Sequence, residues 1–76
     1  MDINSAKIIE IINESIDSDR QDYDLSTPLN QQGIDSLDLM TAFMLIEEKY
    51  GVKVSDEHME KLNSIEDIVN FLNENA

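Results

Sequence analysis

The feature that most restricts the fold of this chain is the helical spacing of its aliphatic side chains. After Ser5, isoleucines recur at intervals that place them on one face of an α-helix. They are Ile8, Ile9, Ile12 and Ile16. The pattern predicts a first helix from about Ile3 to Ile16. Since a chain of 76 residues buries only about 60% of the surface that its unfolded form exposes, a few such apolar faces must supply nearly the whole core.

Helical periodicity ends at Asp17 and does not return before Asp35. The intervening residues are mostly Asp, Ser, Gln and Asn, interrupted by Pro28 and Gly33, as is typical of a loop. A loop of more than roughly 12 to 15 residues needs a function or anchors in a compact domain. We expect its large apolar side chains to be those anchors and to pack over the helices: Tyr23, Leu25, Leu29 and Ile34.

A second helix is predicted to begin at Asp35 or Ser36, since either residue can cap a helix N-terminus. It should end at Gly51, because glycine readily adopts the left-handed conformation that follows many helices. The residues expected on its core-facing side recur at helical spacing: Leu39, Phe43, Ile46 and Tyr50.

Two further helices are predicted near the C-terminus. Ser55 can cap a short helix, which Asp56 and Glu57 favour in its first turn. Ser64 and Asp67 have the spacing of a capping box at the start of the last helix. That helix is expected to bury Ile65, Ile68, Val69 and Leu72. The predicted fold class is therefore all-α, a small four-helix bundle with a long loop between helices one and two and a short third helix, with residues 1–76 forming a single domain.

Acidic residues dominate the charge of the chain. Seventeen Asp and Glu against five Lys and Arg give a formal net charge of -12. This charge repels nucleic acid backbones and anionic membrane surfaces and attracts basic protein surfaces. We therefore expect protein partners, no nucleic acid and no membrane insertion.

Two absences in the sequence narrow the chemistry further. There is no Cys, so the chain itself offers no disulfide, thiolate metal ligand or Cys nucleophile. A secretion signal and a run of about 18 apolar residues are also missing. We expect a cytoplasmic monomer without a metal site.

Ser36 is the most informative polar residue because it stands where the long loop enters a helix. Backbone N–H groups in the first turn of a helix lack intrahelical partners and, with the helix dipole, favour a negatively charged group such as a phosphodiester. Ser36 is therefore suited to carry a phosphate ester. A simple capping role explains the same residue and is the commoner use of serine there.

The second helix has an additional apolar line beside its core stripe. Leu37, Met40 and Met44 follow one another at helical spacing. A central helix buried on several sides would explain them, but a chain of 76 residues has too little material to cover both faces. We favour a docking surface with adaptable Met contacts, surrounded by acidic residues that steer partners. These are Asp35, Asp38, Glu47 and Glu48.

The block Gly33-Ile34-Asp35-Ser36-Leu37, in the middle of a short acidic helical chain, resembles the acyl carrier protein family. The resemblance covers nearly the whole chain. It includes the long loop, the Glu47-Glu48 pair, the short third helix with Asp56-Glu57 and the aliphatic fourth helix.

The resemblance implies a carrier, not an enzyme. A phosphopantetheinyl transferase moves the 4'-phosphopantetheine arm of coenzyme A onto the Ser36 hydroxyl, and acyl groups travel on the thiol of that arm as thioesters. Acyl-transferring, condensing or acyl-activating enzymes with basic docking patches are the implied partners. The residues carried over as contacts with them are Asp35, Leu37, Asp38, Met40, Met44, Glu47 and Glu48.

In some members of the family the acyl chain folds back into an apolar crevice between helices two and three. By analogy, the residues that would line it are Phe43, Ile46, Val54, Met59, Leu62 and Ile68. Ordinary core packing explains each of these residues equally well.

Four residues depart from the pattern of the family. Gln32 stands where Leu is usual, Thr41 where fatty-acid carriers usually have an acidic residue, Ser55 where Pro is common, and Met59 where a small residue is usual. The departures suggest a specialised polyketide, lipopeptide, peptidyl or unusual lipid carrier at least as readily as a central fatty-acid carrier.

Three other functions compete with a carrier. A serine esterase with a Gly-Asp-Ser-Leu block is superficially similar, but Ile34 splits that block and His58 is the only histidine. A calcium loop among Asp17, Asp19, Asp22 and Asp24 fails in register, because it needs glycine at the place of Asp22 and glutamate at the place of Pro28. A bare acidic interaction module without the arm shares every other feature.

Overall fold

A computed structural model describes residues 3–75; Met1, Asp2 and Ala76 lie outside the described residues. Within this range the chain forms four α-helices and no strand, which confirms the predicted all-α bundle. The helices are α1 (Ser5–Ile16), α2 (Ser36–Tyr50), α3 (Asp56–Lys61) and α4 (Ile65–Asn75). The long loop between α1 and α2 contains one 3-10 helix, Leu29–Gln31, which the sequence analysis did not predict.

The prediction that α1 begins near Ile3 is wrong by two residues. The Asn4 side chain accepts a hydrogen bond from the Lys7 N–H at 3.0 Å, so Asn4 caps the helix and Ser5 begins it. Ile3 is nevertheless buried in the core. Its backbone exchanges two hydrogen bonds of 2.9 Å with the Asn73 side chain on α4, which ties the start of the chain to its last helix.

The predicted ends of the other helices are confirmed. Helix α2 runs between Asp35, its N-cap, and Gly51, which has a left-handed φ of 67°. Ser55 caps α3. At α4, the Ser64 hydroxyl accepts from the Asp67 N–H at 3.1 Å and the Asp67 carboxylate accepts from the Ser64 N–H at 3.2 Å, which is the reciprocal capping box.

The core lies between α1, α2 and α4 and is almost entirely aliphatic. Its largest fully buried side chains are Phe43, Ile8, Ile12, Leu29, Ile46, Ile65, Ile68 and Leu72. Three residues predicted to be buried, Leu39, Tyr50 and Val69, are only half-buried and pack at its edge. On α2, Ala42 is buried although it was not predicted to be. Its small side chain lets a neighbouring helix approach closely.

Three of the four predicted loop anchors, Tyr23, Leu29 and Ile34, are buried. The prediction for Leu25 is wrong, because its side chain is 41% exposed. The backbone of Leu25 forms the anchor instead, since its carbonyl accepts a hydrogen bond of 2.9 Å from the Glu66 N–H in the first turn of α4. That N–H has no partner within its own helix, so the loop completes the helix start.

Helix α3 differs from the other helices because none of its residues is buried. It lies beside α4, where the His58 and Phe71 ring centroids are 4.7 Å apart. Among the described residues no helix is long and apolar enough to cross a membrane.

Candidate functional site

Ser36 is the first residue of α2 and its side chain is exposed. The capping role belongs to its neighbour, because an Asp35 carboxylate oxygen accepts a hydrogen bond of 2.9 Å from the Asp38 N–H. The explanation of Ser36 as a cap therefore does not hold. Within residues 3–75, the Ser36 hydroxyl has no hydrogen-bond partner, so it is available to an incoming reactant.

The backbone before Ser36 is shaped by a turn and a buried anchor. Gly33 has a φ of 92°, a conformation that an L side chain rarely adopts. Ile34 follows it into the core, and its N–H donates to the Leu29 carbonyl at 3.1 Å. Because Ile34 points inward, the next two residues of the chain emerge at the surface, where Asp35 and Ser36 are exposed.

The second apolar line of α2 is exposed in the structure. Leu37 is 72% exposed, Met40 51% and Met44 65%. Isolated apolar side chains are common on protein surfaces, but three at helical spacing along one helix form a patch. We refer to Leu37, Met40 and Met44 as the apolar patch.

The acidic residues around the apolar patch differ in their solvent exposure. Asp35 and Glu48 are exposed, whereas Asp38 and Glu47 are half-buried. A Glu47 carboxylate oxygen accepts a hydrogen bond of 3.0 Å from the Val54 N–H. Glu47 thus holds the segment between α2 and α3, a role that the sequence analysis did not predict.

A cavity of about 340 Å³ opens next to Ser36, between the end of the loop, α2 and α3. Its apolar lining consists of Ile34, Leu39, Met40, Phe43 and Met59. Its polar lining consists of Asn30, Asp35, Ser36, Asp56, Glu60 and Asn63. The hydroxyl of Ser36 therefore stands at the edge of a largely apolar space.

Two of the six residues expected around an acyl crevice, Phe43 and Met59, line this cavity. The other four, Ile46, Val54, Leu62 and Ile68, are buried in the core and do not line it. Sequence analysis did not assign Ile34, Leu39 or Met40 to the crevice. Their positions within one or two helical turns of Ser36 are the signal that could have indicated them.

Comparison with known proteins identifies the family. The phosphopantetheine attachment site family matches residues 6–72. An acyl carrier protein of Campylobacter jejuni is 36% identical over 69 residues, which is 91% of this chain and 88% of the relative. The chain belongs to the acyl carrier protein family. An acyl carrier protein of Clostridium acetobutylicum is 31% identical over 67 residues, 87% of each chain.

A solved structure shares the fold of this carrier. It is 3-oxo-butyl-ACP, an intermediate mimic from the actinorhodin polyketide synthase of Streptomyces coelicolor, with a TM-score of 0.80. The likeness covers 99% of this chain and 92% of the other at 23% sequence identity. Members of the family are carriers, not catalysts, and they bear a covalently attached 4'-phosphopantetheine.

The residues that suggested rival functions lie apart from the site. His58 is exposed on α3, its ring contacts the Phe71 ring at a tilt of 54°, and it does not line the cavity beside Ser36. In the part of the chain that the structure describes, no three His, Asp or Glu side chains are grouped as metal ligands.

Sequence analysis missed a polar network in the long loop of the carrier. Arg20 donates to the Asp22 carboxylate at 2.7 Å and lies 4.5 Å from the centre of the Tyr23 ring. Gln32 binds the backbone of Asp24 and Thr27 through its side-chain amide. Only the departure at Gln32 from the pattern of the family pointed to it.

Proposed function

We propose that Ser36 is the attachment site of the phosphopantetheine arm and that the chain presents acyl thioesters on this arm to partner enzymes. The supporting observation is that Ser36 is exposed at the start of α2 and does not cap the helix, because Asp35 is the capping residue. Because the sequence contains no Cys, the thiol of the arm supplies the sulfur that thioester chemistry requires. The phosphopantetheinyl transferase transfers the arm from coenzyme A to the hydroxyl.

The polypeptide around Ser36 fits a phosphodiester and a flexible chain. The first N–H groups of α2 have no helical acceptor and favour negative charge together with the helix dipole. Asp35 already satisfies the N–H of Asp38, and among residues 3–75 the N–H groups of Ser36 and Leu37 donate to no other acceptor. The apolar cavity beside Ser36 offers space for the acyl end of a chain that folds back.

We further propose that the apolar patch is the centre of the docking surface for partner enzymes, with Asp35, Asp38 and Glu48 as the surrounding charges. The net charge of -12 favours partners with basic patches and accelerates their encounter with the carrier. Glu47 contributes charge to this surface while its carboxylate is held by the Val54 N–H.

The pathway in which we place the carrier is fatty-acid, polyketide or related lipid biosynthesis. The curated relatives named above are acyl carrier proteins. The departures at Gln32, Thr41, Ser55 and Met59 support a specialised secondary-metabolite or peptidyl carrier as the second candidate. A monomer of one domain in the cytoplasm remains our prediction.

Intact mass measurement after incubation with coenzyme A and a broad-specificity phosphopantetheinyl transferase tests the attachment site. We expect the wild type to gain one arm and Ser36→Ala to gain none. Ser55→Ala is the matched control, because Ser55 is also an exposed serine at the start of a helix, and it should gain the arm like the wild type. A wild type that stays unmodified with two different transferases would leave only a bare interaction module.

A further inference from the structure

The side chain of Gln32 closes the long loop on itself. Its amide nitrogen donates to the carbonyl oxygens of Asp24 at 2.8 Å and Thr27 at 2.9 Å. Its amide oxygen accepts from the Asp24 N–H at 2.7 Å. Three hydrogen bonds to the backbone of one short segment hold this half-buried side chain in a single orientation.

Arg20 holds the same residue through its backbone. One guanidinium nitrogen of Arg20 donates to the Gln32 carbonyl, while another donates to Asp22 and the guanidinium plane lies over the ring of Tyr23. Tyr23 is in turn anchored to α1, because its hydroxyl donates to the buried Asn13 side chain at 2.9 Å. The side chain of Gln32 is thus tied within the loop, and its carbonyl is tied to Arg20, whose own carbonyl accepts a hydrogen bond of 2.8 Å from the Asn13 side chain of α1. We refer to Arg20 and Gln32 as the loop clamp.

The loop clamp ends immediately before the segment that leads into Ser36. Gly33 follows Gln32 with a φ of 92°, and glycine is the residue with the most backbone freedom to lose. Beyond it, Ile34 is held by its burial and by one hydrogen bond to Leu29. The path of the chain between Gln32 and α2 therefore depends on where the clamp places Gln32.

We propose that Arg20 and Gln32 are positioning residues for the modification of Ser36, an inference that rests on the proposed function. They keep the segment of residues 33–35 in the one conformation that presents the hydroxyl to the transferase. Without them, the transferase must order this segment in each transition state, which lowers kcat. Asp35 is the one docking residue within this segment and is held by its own hydrogen bond from the Asp38 N–H, while the other docking residues lie on α2, so KM for the carrier stays the same.

Gln32→Met tests the proposal because it preserves the length and size of the side chain and removes all three of its hydrogen bonds. We expect kcat for arm transfer to fall about tenfold and KM to change by less than about twofold, in line with the cost of small misplacements of reacting groups. Native-state hydrogen exchange of the unmodified protein should show faster exchange at the Ile34 N–H, and unchanged exchange at the Val54 N–H.

Tyr23→Phe is the matched control, since it removes the bond from the Tyr23 hydroxyl to Asn13 but leaves the four hydrogen bonds of Gln32 and the bond from Asn13 to the Arg20 carbonyl. It should lower the unfolding temperature and leave kcat unchanged. Arg20→Lys is a milder variant that keeps the charge and loses the planar guanidinium. Its kcat should fall by a smaller factor, and its kcat tests the proposal if Gln32→Met does not fold.

An unchanged kcat in the clamp variants, or an equal fall in Tyr23→Phe, would overturn the proposal. Failure of the proposed function gives a different result, because the wild type would then take up no arm. Hydrogen exchange at the Ile34 N–H needs no arm transfer, so it still tests in that case whether the clamp orders the segment before Ser36. Unaltered exchange at the Ile34 N–H in Gln32→Met would show that the clamp does not control the segment before Ser36.

Discussion

The Asp35 carboxylate and the Asp38 N–H form the hydrogen bond, 2.9 Å long, that caps α2. Capping by Asp35 leaves the adjacent hydroxyl of Ser36 free. Asp35 therefore takes the capping role that a serine at a helix start often has, and it also adds a negative charge to the docking surface that we propose for α2.

Substitution of Asp35 can separate its capping role from its charge. Asp35→Ala should lower the free energy of unfolding by about 1 kcal/mol, the usual cost of a lost N-cap. Asp35→Asn should keep the stability, because Asn caps as well as Asp, and should raise the KM of the transferase for the carrier. Chemical denaturation and transferase kinetics measure the two effects. Equal KM values for Asp35→Asn and the wild type would remove Asp35 from the docking surface.

Reversal of a charge on α2 tests the docking surface. Glu48→Lys should raise KM for the carrier by about three- to tenfold at low salt, and the difference should shrink as salt screens the attraction. Glu74→Lys on α4 is the control, since it changes the net charge equally at another exposed position. Circular dichroism should show unaltered helix content in both variants. The same KM for both variants would mean that only net charge matters and that α2 is not the docking face.

Met59 is expected to limit the length of acyl chain that the cavity shelters. Met59 lines the cavity from α3, so Met59→Ala should extend protection of the thioester to longer chains. Each methylene that enters an apolar space contributes about 0.8 kcal/mol, or roughly fourfold slower attack by hydroxylamine. Met44→Ala, at an exposed Met outside the cavity, should behave like the wild type. If Met59→Ala protects no longer chains than Met44→Ala, the cavity does not hold the cargo.

The ion pair of Arg20 and Asp22 should be visible in a pH titration. The hydrogen bond from Arg20, followed by the charge of Arg20, lowers the pKa of Asp22 below its ordinary value of 3.8. A lowered folded-state pKa means that the pair stabilises the fold above the unfolded-state value and loses this contribution as pH falls through the folded-state pKa. Carboxyl-carbon NMR should show a higher midpoint for Asp22 in Arg20→Met. The stability difference between the two proteins should begin to narrow as pH falls towards the unfolded-state value near 3.8 and should go on narrowing below it. An identical midpoint in both proteins would contradict the ion pair in solution.

Local chemistry made the helix ends predictable. Gly51 and the pair of Ser64 and Asp67 act through residues that are neighbours in the sequence, so their spacing is sufficient to predict them. The start of α1 was misplaced because Ile3 continues the apolar pattern, while the side chain of Asn4 decides where the helix begins.

Contacts between distant segments account for the errors. Leu25 looked like an anchor by composition, but its carbonyl binds Glu66 and its side chain stays exposed. Four of the residues expected around the crevice are buried in the core instead. Which side chains line the cavity and which enter the core depends on how α3 lies against α2, and the spacing of residues does not show this. The carboxylate of Glu47 was counted as a free charge because its acceptor role depends on the Val54 N–H, which follows the turn after α2.

Peptide fragmentation mass spectrometry of the protein purified from its native cells tests the central claim most directly. We predict a phosphopantetheine arm, with or without an acyl group, on the peptide that contains Ser36 and at that residue alone. Native protein with a bare Ser36, or with the arm on any other side chain, would contradict the account.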